Sequence, residues 1–79
     1  MKTTRYFEEQ VLRKRPYILR RWCEAALADP VRREAQADGR HRLWIEVLDT
    51  PDRKPRMPRV IVLEDGETVH NAFFDRDFS

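Results

Sequence analysis

Arg59-Val60-Ile61-Val62-Leu63-Glu64, then Asp65-Gly66, then Glu67-Thr68-Val69-His70-Asn71-Ala72-Phe73-Phe74 is the stretch that decides the fold. Two runs rich in valine, isoleucine and phenylalanine flank an Asp-Gly pair, a strong short-range hairpin signal. With a two-residue turn, Val62 faces Val69, Ile61 faces His70 and Val60 faces Asn71. One face of the hairpin then carries Val60, Val62, Val69, Asn71 and Phe73. The other carries Arg59, Ile61, Leu63, Thr68, His70, Ala72 and Phe74. Both faces are substantially apolar, which predicts central strands with helices on one side. The other side then needs its own cover from a loop, a tail or another subunit. A one-residue slip would exchange the two faces.

Outward from the hairpin, residues 50–58 hold Pro51, Pro55 and Pro58 with Asp52, Arg53, Lys54 and Arg56 between them. Prolines this dense cannot donate to a sheet ladder, so the segment reads as a charged loop. Residues 40–48 alternate with period two. Leu43, Ile45 and Val47 point toward the core, while Arg42, Trp44, Glu46 and Leu48 point away. Asp38-Gly39 reads as a two-residue hairpin turn joining this strand to a polar edge strand within residues 31–37.

Before residue 31 the period is helical. Thr4 is placed to cap a helix over residues 4–14, with Glu8 and Glu9 near its positive end. Phe7, Val11 and Leu12 form its apolar stripe, and Arg13, Lys14 and Arg15 close it. Pro16 breaks that helix and suits the first turn of a second one. The second helix is expected to run to about residue 28, with Ile18, Trp22 and Ala26 on one face and Cys23 and Leu27 beside them. Asp29-Pro30 ends it. The prediction is one α+β domain over residues 1–79, with two N-terminal helices packed on a four-stranded antiparallel sheet in the order α-α-β-β-β-β.

A chain of 79 residues has room for one core, and a domain this small hides roughly 60% of the surface its extended chain exposes. Hydrophobic residues at 41% and charged residues at 38% are compatible with folding, despite a mean hydropathy of -0.80. The single cysteine, Cys23, excludes an internal disulfide. The first residues hold no apolar leader-like run, and Val60-Ile61-Val62-Leu63 is too short to cross a bilayer, so a cytoplasmic protein with no membrane partner is expected. The net charge of +2 is uneven: residues 1–40 carry ten basic against six acidic side chains, and residues 41–79 carry six against eight. Thirteen of the sixteen cations are arginine, whose planar fork suits phosphate and stacks on bases.

Cys23, His41 and His70 have no metal-ligand spacing, and both glycines, Gly39 and Gly66, are used in turns. Neither a metal nor a nucleotide cofactor is expected. The one serine, Ser79, is terminal and offers no serine triad. What is left suits metal-free RNA cleavage, which needs an acid or base together with positive charge beside the phosphorane. His70, Arg59 and Arg76 are the candidate catalytic residues. Arg13, Arg15 and Arg42 are candidate phosphate contacts, Tyr6, Asn71 and Asp75 candidate supports, and Trp44 a candidate base-stacking ring. Binding without chemistry needs less: Arg20-Arg21, Arg32-Arg33 and the loop cations would then join a phosphate-contacting surface. A non-enzymatic protein-interaction module, dimeric through Trp44 and Leu48, is the third reading.

Arg5-Tyr6-Phe7, Arg15-Pro16-Tyr17-Ile18, Leu27-Ala28-Asp29-Pro30, Asp38-Gly39-Arg40, and Val60-Ile61-Val62 leading to Val69-His70-Asn71-Ala72-Phe73 span nearly the whole chain. Together they resemble a bacterial family of small domains of unknown function that is grouped with the RelE-like and barnase-like RNase toxins. The resemblance implies a RelE-like helix-helix-sheet fold, a basic helix junction at Arg15, and a last strand carrying His70, Asn71 and Phe73. It also implies RNA as substrate and an antitoxin-like protein as partner. The family's start carries a histidine, and Arg5-Tyr6 stand in its place here. That departure implies either an inactive member or a proton-transfer role taken over by Tyr6 or His70.

Overall fold

The computed structural model describes residues 1–78, so Ser79 lies outside the described residues. Its first helical stretch starts in α-helical geometry at residues 5–6, passes through a π-helix over Phe7–Val11 and ends in a short α-helical turn, α1 (Leu12–Lys14). Thr4 does cap it, since its Oγ1 accepts the Phe7 N–H at 3.1 Å. Phe7 and Val11 are buried. Arg15 leaves the helical region at φ −126°, ψ 67°, as expected of a residue before proline.

Pro16 does not open the second helix. Residues 15–18 instead form a turn closed by the Ile18 N–H on the Arg15 carbonyl, and helix α2 (Arg20–Ala28) begins after an extended Leu19. The reason is local: once Pro16 forces Arg15 out of the helix, the chain must turn before a new helix can start. Ile18 still packs in the core, as do Trp22, Cys23 and Ala26.

The sheet is antiparallel throughout, with strands β1 (Arg32–Ala35), β2 (His41–Trp44), β3 (Pro58–Val62) and β4 (Val69–Phe74) side by side in chain order. The fold is therefore α+β, with the helices before the sheet. Residues 2–4 lie parallel to the start of β4: the Val69 N–H bonds the Lys2 carbonyl, and the Thr4 N–H bonds the Val69 carbonyl. Asp38-Gly39 sits in a three-residue loop rather than a two-residue one. Gln36 pairs with Arg40 across it, and Gly39 takes φ +89°. That is the geometry of a turn followed by a left-handed glycine.

The loop at Asp65-Gly66 is four residues long rather than two, closed by the Leu63 N–H on the Thr68 carbonyl while the Glu67 N–H turns to Asp65 Oδ1. Val62 still stands opposite Val69, but the next pairs are Ile61 with Asn71 and Val60 with Ala72. His70 is thus an extra residue, a β-bulge, and everything after it changes face relative to strict alternation. Val60, Val62, Val69, Ala72 and Phe74 consequently pack toward the helices with Leu43, Ile45 and Val47. Asn71 and Phe73 move to the helix-free face with Arg59 and Ile61. A polar Asn71 in the core would have lost its water partners, and the bulge avoids that cost.

Candidate functional site

The helix-free face is organised by register. Arg32 pairs with Trp44, Trp44 with Arg59, and Arg59 with Phe73, so one row across all four strands reads cation, ring, cation, ring. Adjacent strands lie about 4.8 Å apart, which is the separation at which a guanidinium stacks on a neighbouring ring. Arg32 Cζ sits 5.2 Å from the Trp44 ring centroid. Arg59 Cζ sits 5.6 Å from the same ring and 5.0 Å from Phe73. Arg15 extends the row from the helix junction: its Cζ is 5.8 Å from the Phe73 centroid, and its Nη1 donates to Asn71 Oδ1 at 3.1 Å. At the other end Phe78 lies 5.8 Å from Trp44 and 5.5 Å from the Arg32 guanidinium.

Asp75 locks the middle of the row. Its Oδ2 accepts the Trp44 indole N–H at 2.8 Å, and the Arg59 Nε and Nη2 at 3.2 and 2.9 Å. The indole hydrogen bond, followed by those of Arg59, holds the Asp75 carboxyl below its ordinary value. Glu34 serves the adjoining row, pairing with Arg32 and, at 3.6 Å, with Arg42. Four arginines (15, 32, 42 and 59) thus meet two paired carboxylates, Glu34 and Asp75, along these two rows.

The residues expected at a site separate into groups. Arg15, Arg42, Arg59, Asn71, Asp75 and Trp44 belong to this face. Trp44, however, is no open stacking platform: it is 4% exposed, covered by two guanidinium groups and Phe78, and it acts as their support. Leu48, the other residue of the expected dimer face, is 63% exposed and separate from it.

His70 has different neighbours. Its Nδ1 shares a 2.9 Å hydrogen bond with Thr4 Oγ1, and its ring stacks on Tyr6 at 4.9 Å. Burial, then the positive charge of Arg40, push its imidazole below the usual histidine value. Among the described residues His70 has no hydrogen-bond or ring partner in common with Arg59, which is held by Asp75, Trp44 and Phe73. Arg76 is exposed in the turn after β4 and lines a separate cleft with Tyr17, Phe74 and Phe78. Arg13 is exposed on α1.

Arg32 figured in the sequence only as half of a basic pair, and Phe73 was assigned to the opposite face. Their alternation with Trp44 and Arg59 is visible only once the cross-strand register is known. Among the described residues, no three His, Cys, Asp or Glu side chains gather as a metal site, and no helix is long and apolar enough to cross a membrane. No family model matches the chain, and neither a curated protein nor a solved structure does so.

Proposed function

We propose that this chain binds single-stranded RNA across the helix-free face of its sheet, without cleaving it. The observation that carries this reading is the row Arg32, Trp44, Arg59 and Phe73, continued by Arg15, in which each guanidinium is stacked on a ring. Arg59 and Arg15 each spend part of the N–H edge on Asp75 and Asn71, and their stacked planes offer a surface on which an unpaired base can lie beside the remaining N–H groups. Because the rings fix the cations, little side-chain entropy is lost when a strand docks. The face also has no helix over it, as sheet-type RNA binders require.

Binding is favoured over endoribonuclease activity by the surroundings of His70. A proton-transfer group must lie within reach of the cations that hold the scissile phosphate. Here the imidazole is engaged by Thr4 and Tyr6, and the cation acting on it is Arg40, which is not part of the stacked row. The RelE-like resemblance supports an RNA ligand and a cytoplasmic setting through element order and short motifs. It is an analogy of fold, and function is argued from the site.

The test is fluorescence anisotropy with a labelled single-stranded RNA of about ten nucleotides. If three phosphates are engaged, log affinity should fall with log salt at a slope of about −2. Gel analysis of the same RNA should show it intact. RNA shortened in the presence of a chelator would restore the endoribonuclease reading. A salt-insensitive protein dimer that ignores RNA would favour the interaction-module reading.

A further inference from the structure

We propose that the cleft between the end of β4 and the proline-rich loop receives the phosphorylated terminal nucleotide of the bound strand. The cleft measures about 760 Å³, within the range of roughly 300–1,000 Å³ that small-ligand sites occupy. One wall is aromatic. Tyr17 stacks on Phe74 with centroids 5.3 Å apart and planes at 28°, and Phe74 is backed by Trp22 at 5.8 Å. Tyr17 is 47% exposed, so a ring anchored to the core keeps an open side for a base.

The charge in the lining favours an anion. Asp75 also lines the cleft, but its carboxylate is engaged by Trp44, Arg59 and the Asp77 N–H. Arg56 is paired with Asp52. Among the described residues Arg76 has no ion-pair or hydrogen-bond partner, and it stands at the cleft edge. A terminal phosphate monoester carries about −1.5 to −2 near neutral pH, against one negative charge for an internal diester. An unpaired arginine therefore selects a strand end over an interior nucleotide.

Continuity with the sheet face supplies the route. Phe78 lines the cleft and also sits against Trp44 and Arg32, so a strand leaving the ring-and-cation row at that end arrives at Arg76. The source of the nucleotide rests on the RNA-binding reading. The chemistry of the cleft is that of any phosphate monoester carrying a planar base.

The experiment uses the full chain and three RNAs of one sequence, ending in a 5′-phosphate, in a 3′-phosphate, or in hydroxyl groups only. Nucleoside 5′- and 3′-monophosphates are titrated in parallel. One of the phosphorylated RNAs should bind about tenfold more tightly than the hydroxyl-ended RNA, the gain of a charge-assisted contact. Arg76→Ala should erase that preference and leave the hydroxyl-ended affinity unchanged. Tyr17→Leu should weaken the matching mononucleotide, with thermal melting used to confirm that the variant folds. Equal affinity for all three ends, or a preference that survives Arg76→Ala, overturns the proposal. If no RNA binds at all the functional reading falls, and the cleft is then judged by whether mononucleotide binding is present and depends on Arg76.

Discussion

Replacing Asp75 with asparagine should make the protein less stable and, at the same time, a tighter binder of RNA. The Asp75 side chain is 7% exposed and its Oδ2 accepts from both Trp44 and Arg59. Asparagine keeps a carbonyl for the indole but loses the charge that holds Arg59. Breaking a hydrogen-bonded charge pair costs about 2 kcal/mol once the partial exposure of Arg59 is allowed for. In a domain of this size that lowers the melting temperature by about 8–16 °C.

The pH dependence has a definite sign. The Asp75 carboxyl is held below its unfolded value of 3.8, so its contribution is present above that value and lost as pH falls through the folded one. The difference between wild type and Asp75→Asn should therefore be full at neutral pH and shrink below about pH 4. Arg59, still stacked on Trp44 and Phe73, would meanwhile gain a contact with phosphate. The salt slope should steepen by about 0.7. Urea denaturation across pH and salt-dependent anisotropy read the two effects separately. A variant as stable as wild type at neutral pH would refute the role given to Asp75. A folded variant with weaker RNA binding would refute the role given to Arg59.

Other expectations follow from the same geometry. Burial and Arg40 lower the His70 pKa, so its stabilising contribution is complete above the unfolded value of 6.5 and lost as pH falls through the folded value. Urea melts should show wild type losing stability relative to His70→Gln as the solution is acidified from neutral, and an NMR titration should place the imidazole below 6.5. Cys23 is fully buried and its thiol is pushed up to about 12 by that burial. Iodoacetamide should leave it unmodified in the native protein at mildly alkaline pH and alkylate it promptly in urea. Gly39→Ala should cost about 2 kcal/mol, because φ is +89° and the new Cβ would stand 2.9 Å from Glu64 Cγ. Thermal melting measures that loss.

Much of the architecture was legible because its causes are local. Period two around Leu43, Ile45 and Val47 and the apolar face from Ile18 to Ala26 follow from side-chain spacing, and the two Asp-Gly pairs mark where the hairpins turn, although not the lengths of their loops. The His70 bulge was not legible, since alternation has no means of registering an inserted residue. The clue lay in composition: Ala72 suits a tight core better than Asn71, and strict alternation would have buried the amide. Pro16 suits a helix start by its fixed φ, but its effect on the preceding Arg15 decides the outcome, and α2 begins only after Leu19.

The site was legible only as a list of parts. Arg15, Arg42, Arg59, Asn71, Asp75 and Trp44 were all recognised as candidates. Their alternation with Arg32 and Phe73 depends on cross-strand register, which no single strand encodes. Trp44 drew attention as an aromatic among charges, but the indole N–H needed a buried acceptor, and Asp75 supplies it. That requirement turned an expected open ring into a covered one.

The most direct measurement is backbone amide chemical-shift mapping during titration with a single-stranded RNA of about ten nucleotides. The largest shifts should fall on Arg32, Arg42, Trp44, Arg59, Asn71 and Phe73, with Glu24 and Ala25 on the exposed side of α2 unmoved. Shifts centred on α2, or a spectrum unchanged by RNA at low salt, would contradict RNA binding across the sheet face.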